Sequence, residues 1–409
     1  MKQVFYPADI LLPKKEIDYT KWAVIACDQF TSEPEYWQAV KEYVDEAPST
    51  LDLIFPEADL QDENVHRIDW IHHCMNNYLI RDLFDEYRKS YVYVERTLAD
   101  GSLRCGIVGM VDLEEYDYSG HSITAIRATE ETVMERIPPR TAVRKNASLD
   151  VSHIILLCED EKKELIEGVS KIKEELPLLY DLDLMEEGGH IQGRLLEKEA
   201  VKSFNRALRS YIRRQEEKYG KDPVCFLLGD GNHSLACAKD CYEEWKSNHP
   251  NTDTMHLPLR YALVELNNIY SYEQEFEPIH RLVRGVDPEK LLNELDCGRK
   301  TGLPVKWYAK DAEGTIYLDN SFGGIALGIL QPLLDAYIEE NGGEIDYIHG
   351  LASLKKTANE ENTIGFELTA IGKDAFFENV TRYGVYPRKT FSIGEAKEKR
   401  YYMECRNII

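Results

Sequence analysis

The chain has 409 residues, 43% of them hydrophobic and 10% aromatic, which at roughly 100–200 residues per domain suits two or three lobes and excludes a small stapled scaffold. Its 49 basic and 73 acidic side chains leave a net charge of −24, a field that repels nucleic acid and anionic membranes. No apolar run approaches the roughly 18–20 residues that span a bilayer, and the Met1–Pro7 start lacks a secretory apolar core, so a soluble cytoplasmic chain is expected.

In chain order, the apolar run Trp22–Cys27 predicts a buried strand that opens into the polar loop Asp28-Gln29-Phe30-Thr31-Ser32-Glu33, followed by a helix over 35–45. Residues 67–89 carry apolar positions near helical period, with His72 and His73 pointing in different directions, a poor metal pair. Tyr91–Glu95 and Arg104–Val111 flank Asp100-Gly101, the signature of a hairpin. A stretch over 123–146 is rich in arginine and broken at Pro138-Pro139, and His153–Cys158 reads as a buried strand.

Two amphipathic helices follow, one through Leu165–Leu176 and one through Val201–Ile212, with a turn at Glu186–His190 between them. Val224–Leu228 is a buried strand that runs into Gly229-Asp230-Gly231-Asn232-His233-Ser234. Beyond it the pattern predicts a strand at 261–267, a segment around 277–281, a hairpin at 305–308 and 315–318, a helix over 325–340, and strands near 345–348, 364–370 and 400–408. Strands and helices mix without a steady βαβ rhythm, so the expected class is α+β with mixed or antiparallel sheets in two lobes, 1–260 and 261–409. The nine cysteines show no C-x-x-C pair, and Cys237 and Cys241 share a helix face, a spacing that buries soft side chains more often than it holds a metal.

The richest chemistry lies at residues 224–246, where an apolar strand, a turn with two glycines and a helix with Leu235, Ala238 and Tyr242 on one stripe follow one another. A helix N-terminus preceded by glycines favours an anion, because unpaired amides and the positive dipole end meet there. Asp230 could bind a metal ion or accept a hydroxyl proton, His233 could donate to a phosphate oxygen or act in acid–base steps, and Gly231, Asn232 and Ser234 add backbone and neutral side-chain contacts. Asp230 and Asn232 equally suit a turn that only caps the helix. Neither a Walker A loop, a dinucleotide fingerprint nor a nucleophile elbow matches.

Asp230-Gly231-Asn232-His233-Ser234 before a helix resembles the Asp-Gly-His-His-Arg turn of a bacterial family known as domain of unknown function 1015, and the similar turn of the ParB/sulfiredoxin-like free serine kinases; Asn232 stands for the first histidine and Ser234 for the arginine. Glu130 and Thr132 in Ile126–Thr132 match the family's His-Glu-x-Thr segment, with Arg136 and Arg140 after it. Glu277-Pro278-Ile279-His280-Arg281, Ile345–Gly350 and Pro387-Arg388-Lys389-Thr390 are similar to three further family segments.

The resemblance implies ParB/sulfiredoxin-like core elements and a kinase that converts free L-serine to O-phosphoserine with inorganic pyrophosphate, the related archaeal enzymes using a nucleotide. In-line phosphoryl transfer needs positioning, charge neutralisation and a proton acceptor. On that reading Gly231, Asn232, Ser234, Arg127, Arg136, Arg140, Arg144 and Lys389 hold phosphate, and Asp230 or Asp28 holds Mg²⁺ or takes the serine proton. Gln29, Thr31, Ser32 and Glu33 take the amino acid, Glu33 being an alternative base, with Glu130, Thr132, His280 and Arg281 as further substrate contacts. The implied partners are small molecules, with homo-oligomerisation left open.

Three other readings stand beside this one. A ParB-like nucleotide-binding regulatory module without catalysis is disfavoured by the acidic charge. A sulfiredoxin-like enzyme needs a reactive cysteine at the turn, whereas Cys225 lies in the strand and Cys237 on the helix. A phosphotransferase or phosphatase for another small hydroxyl metabolite would use the same residues.

Overall fold

A computed structural model describes residues 3–409 except 32, 60–64, 133–136, 272–275, 297–299, 321–324, 393 and 395. The chain divides into two compact units, Met1–Ala128 with Thr132–Glu273 and Glu395–Ile409, and Thr129–Glu131 with Gln274–Gly394. This corrects the expected boundary after residue 260. Strand Tyr261–Asn268 pairs antiparallel with Leu103–Asp112 in the first unit, and the chain's last residues return to that unit.

The first unit is built on a mixed sheet of 13 strands among the described residues. Its centre is the hairpin Phe84–Thr97 and Leu103–Asp112, with Thr97 opposite Leu103 around the Asp100-Gly101 turn. Tyr261–Asn268 continues the sheet into a parallel pairing with Ile155–Cys158, which pairs antiparallel with Phe226–Asp230. Phe226–Asp230 in turn runs parallel to Ile126–Arg127.

Strand alternation divides the apolar side chains between two cores. Val92, Val94, Val108 and Leu263 face a cluster with Trp22, Trp37 and Ile71, while Tyr91, Tyr93, Ile107 and Val264 face one with Phe204, Tyr211 and Leu235. Helices Pro34–Val44 and Val65–Ile80 thus contribute to the first core, and Lys198–Tyr219 and Asn232–Asn248 to the second. Among the described residues no helix is long and apolar enough to cross a membrane.

Several elements depart from the sequence reading. Tyr19–Trp22 is a short helix capped by Asp18, and Ala23–Ala26 are buried with one bridge, Ile25 to Tyr401, in place of a strand. The helical period of 67–89 ends at Ile80, and a strand starts at Phe84. Pro138 and Pro139 fall in the first turn of helix Ile137–Lys145, where a missing amide is tolerated. The helix expected over 165–176 is only Ile166–Ser170 plus a short turn, and an unforeseen hairpin, Leu178–Asp183 and His190–Leu196, follows.

The second unit holds an antiparallel six-stranded sheet among its described residues. Glu277–Arg284 lies between Glu344–His349 and Thr363–Glu367, and Leu303–Ala309 with Ala312–Leu318 forms the edge hairpin. Helix Ala326–Asn341 packs Leu327, Leu330 and Leu334 on Val283, Ile364 and Phe366.

Candidate active site

Strand Phe226–Asp230 delivers the chain into Gly231, whose φ of 78° and ψ of 28° place it in the left-handed region just before helix Asn232–Asn248. A Cβ at Gly231 would stand 3.0 Å from the Ile154 backbone, so glycine serves both the turn and the close approach of the neighbouring strand. Among the described residues no side chain caps the helix. Its first intrahelical bond runs from Leu235 N–H to Gly231 O at 3.0 Å, which leaves the amides of 232–234 ahead of the helical ladder.

Asp230 accepts a 2.9 Å bond from the Gly231 amide at Oδ1, while its buried Oδ2 has no hydrogen-bond partner among the described residues and lies 3.4 Å from Lys399 Nζ. Asn232 Oδ1 is also buried without a partner. His233 is half-buried in the same first turn.

Next to this turn a polar chain assembles from six separate segments. Ser234 Oγ lies 3.5 Å from His153 Nε2 and accepts a 3.3 Å bond from Arg140 Nη1. Asp28 Oδ2 lies 3.5 Å from His153 Nε2 and 3.8 Å from Arg140 Nη2, and Arg140 also pairs directly with Glu57. His153 Nδ1 is 2.7 Å from the Tyr402 hydroxyl, which in turn accepts the Cys27 amide at 3.2 Å.

Burial works against charge on Asp28, yet His153 and Arg140 outweigh it and hold its carboxyl well below the usual carboxylate range. Burial likewise opposes charge on Arg140, but Cys27, Asp28 and Glu57 raise its guanidinium above its ordinary value. Both remain ionised.

A cavity of about 110 Å³ opens beside this chain. Glu57, Arg140, Arg144, His153 and Ser234 form its polar wall, and aliphatic side chains such as Ile54, Val143 and Leu149 the rest. Arg144 pairs with Asp150 at 2.6 Å through Nη1, while its Nε and Nη2 have no hydrogen-bond partner.

The structure thus brings Asp28, Asp230, Gly231, Asn232, His233, Ser234, Arg140 and Arg144 into one region of the first unit. Arg127 is turned elsewhere: it is buried and donates to the carbonyls of Thr124 at 2.9 Å and Asp222 at 3.0 Å, which commits its guanidinium to holding loops. Gln29 supports Asp28 with a 3.0 Å bond; Thr31 and Glu33 are exposed, and Thr132 buries a hydroxyl with no partner among the described residues. Arg136 and Ser32 lie outside the described residues.

Four further candidates belong to the second unit. Glu130 accepts the amides of Lys389 at 3.1 Å and Thr390 at 2.9 Å. Arg281, fully buried, donates to Gln331 and to the carbonyls of Ile279, Arg388 and Lys389, and His280 accepts the Leu368 amide at 3.1 Å. The Arg281 bonds staple the sheet to the loop at Arg388 and Lys389, while His280 is tied to Leu368 through Nδ1. Lys389 Nζ lies over the Tyr347 ring.

His153, Glu57, Tyr402 and Lys399 were not read as site residues from the sequence. His153 had a signal, a polar ring heading an apolar strand; the other three join the site from remote segments and carry none.

The family model described as "Protein of unknown function (DUF1015)" matches residues 11–328. The chain belongs to this family. The DUF1015 match includes the 126–132 and 230–234 segments, whereas the 345–350 and 387–390 segments lie beyond it. Among solved structures, this DUF1015 chain is similar to a conserved hypothetical protein from Pyrococcus furiosus, with 11% identity over 72% of this chain and 90% of that one and a TM-score of 0.36. It is also similar to SbnI with a C-terminal truncation from Staphylococcus aureus (9% identity, 72% and 82% covered, TM-score 0.35). A free serine kinase in complex with AMP gives 11% identity, 72% and 90% coverage and a TM-score of 0.40. No curated protein matches the chain in sequence.

Proposed function

We propose that the protein is a phosphotransferase that converts free L-serine to O-phosphoserine with inorganic pyrophosphate as donor and Mg²⁺ as cofactor. The observation that carries this reading is the uncapped helix start at 231–234 with Asp230, Lys399 and Arg140 all reaching it. Amides, dipole and two cations favour phosphate oxygens there.

The residues fit a hard cation. Asp230 Oδ2 is a buried carboxylate oxygen without a hydrogen bond, and Mg²⁺ is ordinarily held by one or two carboxylates together with substrate phosphates. When bound, Mg²⁺ neutralises phosphate charge. The chain's own groups do the rest: the 232–234 amides and Lys399 orient the phosphates, and Arg140 bridges them to the acceptor side. As the bond from the serine oxygen to phosphorus forms and the pyrophosphate P–O bond breaks, orthophosphate leaves and the hydroxyl proton passes to Asp28. A weak base is sufficient, because a loose transition state asks the protein chiefly for positioning and charge stabilisation.

Incubation of the purified protein with Mg²⁺, L-serine and either pyrophosphate, ATP or ADP, read by mass spectrometry, tests the reading. Phosphoserine is expected with pyrophosphate. Phosphoserine from ATP alone would overturn the donor, and none from any donor with a folded protein would overturn the kinase.

A further inference from the structure

The cavity beside the turn carries an uneven distribution of charge that the reaction above does not explain. At one end, two carboxylates, Asp28 and Glu57, share the single guanidinium of Arg140. At the other, two guanidiniums, Arg144 and Arg406, share the single carboxylate of Asp150, at 2.6 and 3.4 Å, and Asp150 also accepts the Leu263 amide at 2.9 Å. Glu57 and Arg144 both line the cavity. Asp28 also faces His153, so the imbalance at its end falls on Glu57, which has only a share of Arg140, and the other end is short of an anion.

Unmet hydrogen-bonding capacity points the same way. Among the described residues, Nε and Nη2 of Arg144 and Nε of Arg140 are buried without a hydrogen-bond partner. Buried guanidinium N–H groups left unpaired are costly, which favours an anionic group over a neutral one beside them. The cavity's size, about 110 Å³ against roughly 150 Å³ for one that holds benzene, suits a metabolite of a few carbons.

We propose that this cavity is the acceptor subsite, binding a small zwitterionic α-amino acid with its ammonium on Glu57 and its carboxylate on Arg144. The assignment rests on the serine-kinase reading and deepens it. It moves Arg144 from the phosphates to the acceptor, and places the acceptor's hydroxyl at the polar edge, by Ser234 and Asp28. Glu57 and Arg144 become specificity determinants that select for both charged groups at once.

The subsite is tested by calorimetric titration of the full chain, with Mg²⁺ and orthophosphate present, using L-serine, ethanolamine, which lacks the carboxylate, and glycerate, which has a hydroxyl for the ammonium. L-serine is expected to bind at least about tenfold more tightly than either analogue, the scale of a lost charge-assisted pair. Arg144→Lys keeps a charge for Asp150 but removes the fork, and should weaken L-serine about tenfold while changing ethanolamine less than about twofold. Glu57→Gln should do the same for L-serine relative to glycerate. Equal binding of the three ligands, no binding of L-serine by the folded wild type, or equal weakening of serine and ethanolamine in Arg144→Lys would overturn the assignment. Because titration needs no turnover, serine binding with the expected preference but without phosphoserine from any donor would keep the subsite and remove the kinase.

Discussion

Asp28 shows how one residue's environment decides its role. Its carboxylate is held ionised by His153 and Arg140 against the cost of burial. Because its folded pKa is depressed, the stability it contributes is complete above the unfolded value of about 3.9 and is lost as pH falls below that value. Asp28→Asn should therefore narrow the stability difference from wild type as pH drops from about 6 to about 3, measured by urea unfolding, and should lower turnover by about 10²-fold or more at neutral pH. Arg127 provides the contrast. Its bonds to Thr124 and Asp222 carbonyls are structural, so Arg127→Met should cost about 1–3 kcal/mol of stability and leave KM for pyrophosphate unchanged.

At the scale of elements, the site depends on a turn and a strap. Gly231→Ala puts a side chain on a left-handed backbone against Ile154; a loss of about 1–2 kcal/mol is expected from the conformation alone, with a further rise in donor KM as the 232–234 amides move. The strap is the segment 396–402, which carries Lys399 and Tyr402. Arg96, almost fully buried, donates to the carbonyls of Gly188, Lys397, Glu398 and Lys399, and Arg104 adds a bond to Glu398. Burial and then the neighbouring Arg104 push the Arg96 guanidinium down to about 9. Arg96 is thus a positioning residue for Lys399. Arg96→Lys should raise KM for pyrophosphate several-fold with a smaller change in kcat, and the KM effect should vanish in a Lys399→Met background.

These two elements also mark what a sequence reveals. The strand, glycine turn and helix of 224–248 were legible because an apolar run, a turn residue and a helical stripe occur consecutively, each with its own local signal. The strap was not, since Lys399 meets Asp230 across nearly half the chain and its support comes from Arg96 through backbone carbonyls, which leave no trace in side-chain pattern. The apolar run 22–27 misled for a related reason: a short, fully buried segment has no period by which a strand differs from a packed loop. Leu178–Asp183 went unread because only Tyr180 and Leu182 of its alternating pattern are buried.

On the scale of the whole molecule, the last residues complete the first unit. Trp22 donates its indole N–H to Met403 O at 3.0 Å, and Arg400 bridges Glu265 and Glu404 in the interior. Removing residues 395–409 would break the buried Arg400–Glu265 pair, leaving Glu265 to Arg104 and Asn267, and open the core around Trp22; breaking such a pair costs up to about 3–5 kcal/mol. A chain ending at residue 394 should lose the first unit's cooperative melting transition while the second unit, with its own apolar core around Val283, Leu330 and Phe366, retains one; differential scanning calorimetry would resolve the two. The α+β class and the two lobes could be read from the lack of a βαβ rhythm, but the crossing of the chain between units could not, because no composition shift marks the return at 395.

The most direct test of phosphoryl transfer at the 230–234 turn is a ³¹P NMR time course with Mg²⁺, L-serine and pyrophosphate, run on wild type, Asp230→Asn and Lys399→Met. Wild type should produce phosphoserine and orthophosphate in equal amounts, with Asp230→Asn slowed by about 10²-fold or more and Lys399→Met needing more pyrophosphate to saturate. Phosphoserine formed at the wild-type rate by Asp230→Asn would contradict the account and place the chemistry elsewhere in the chain.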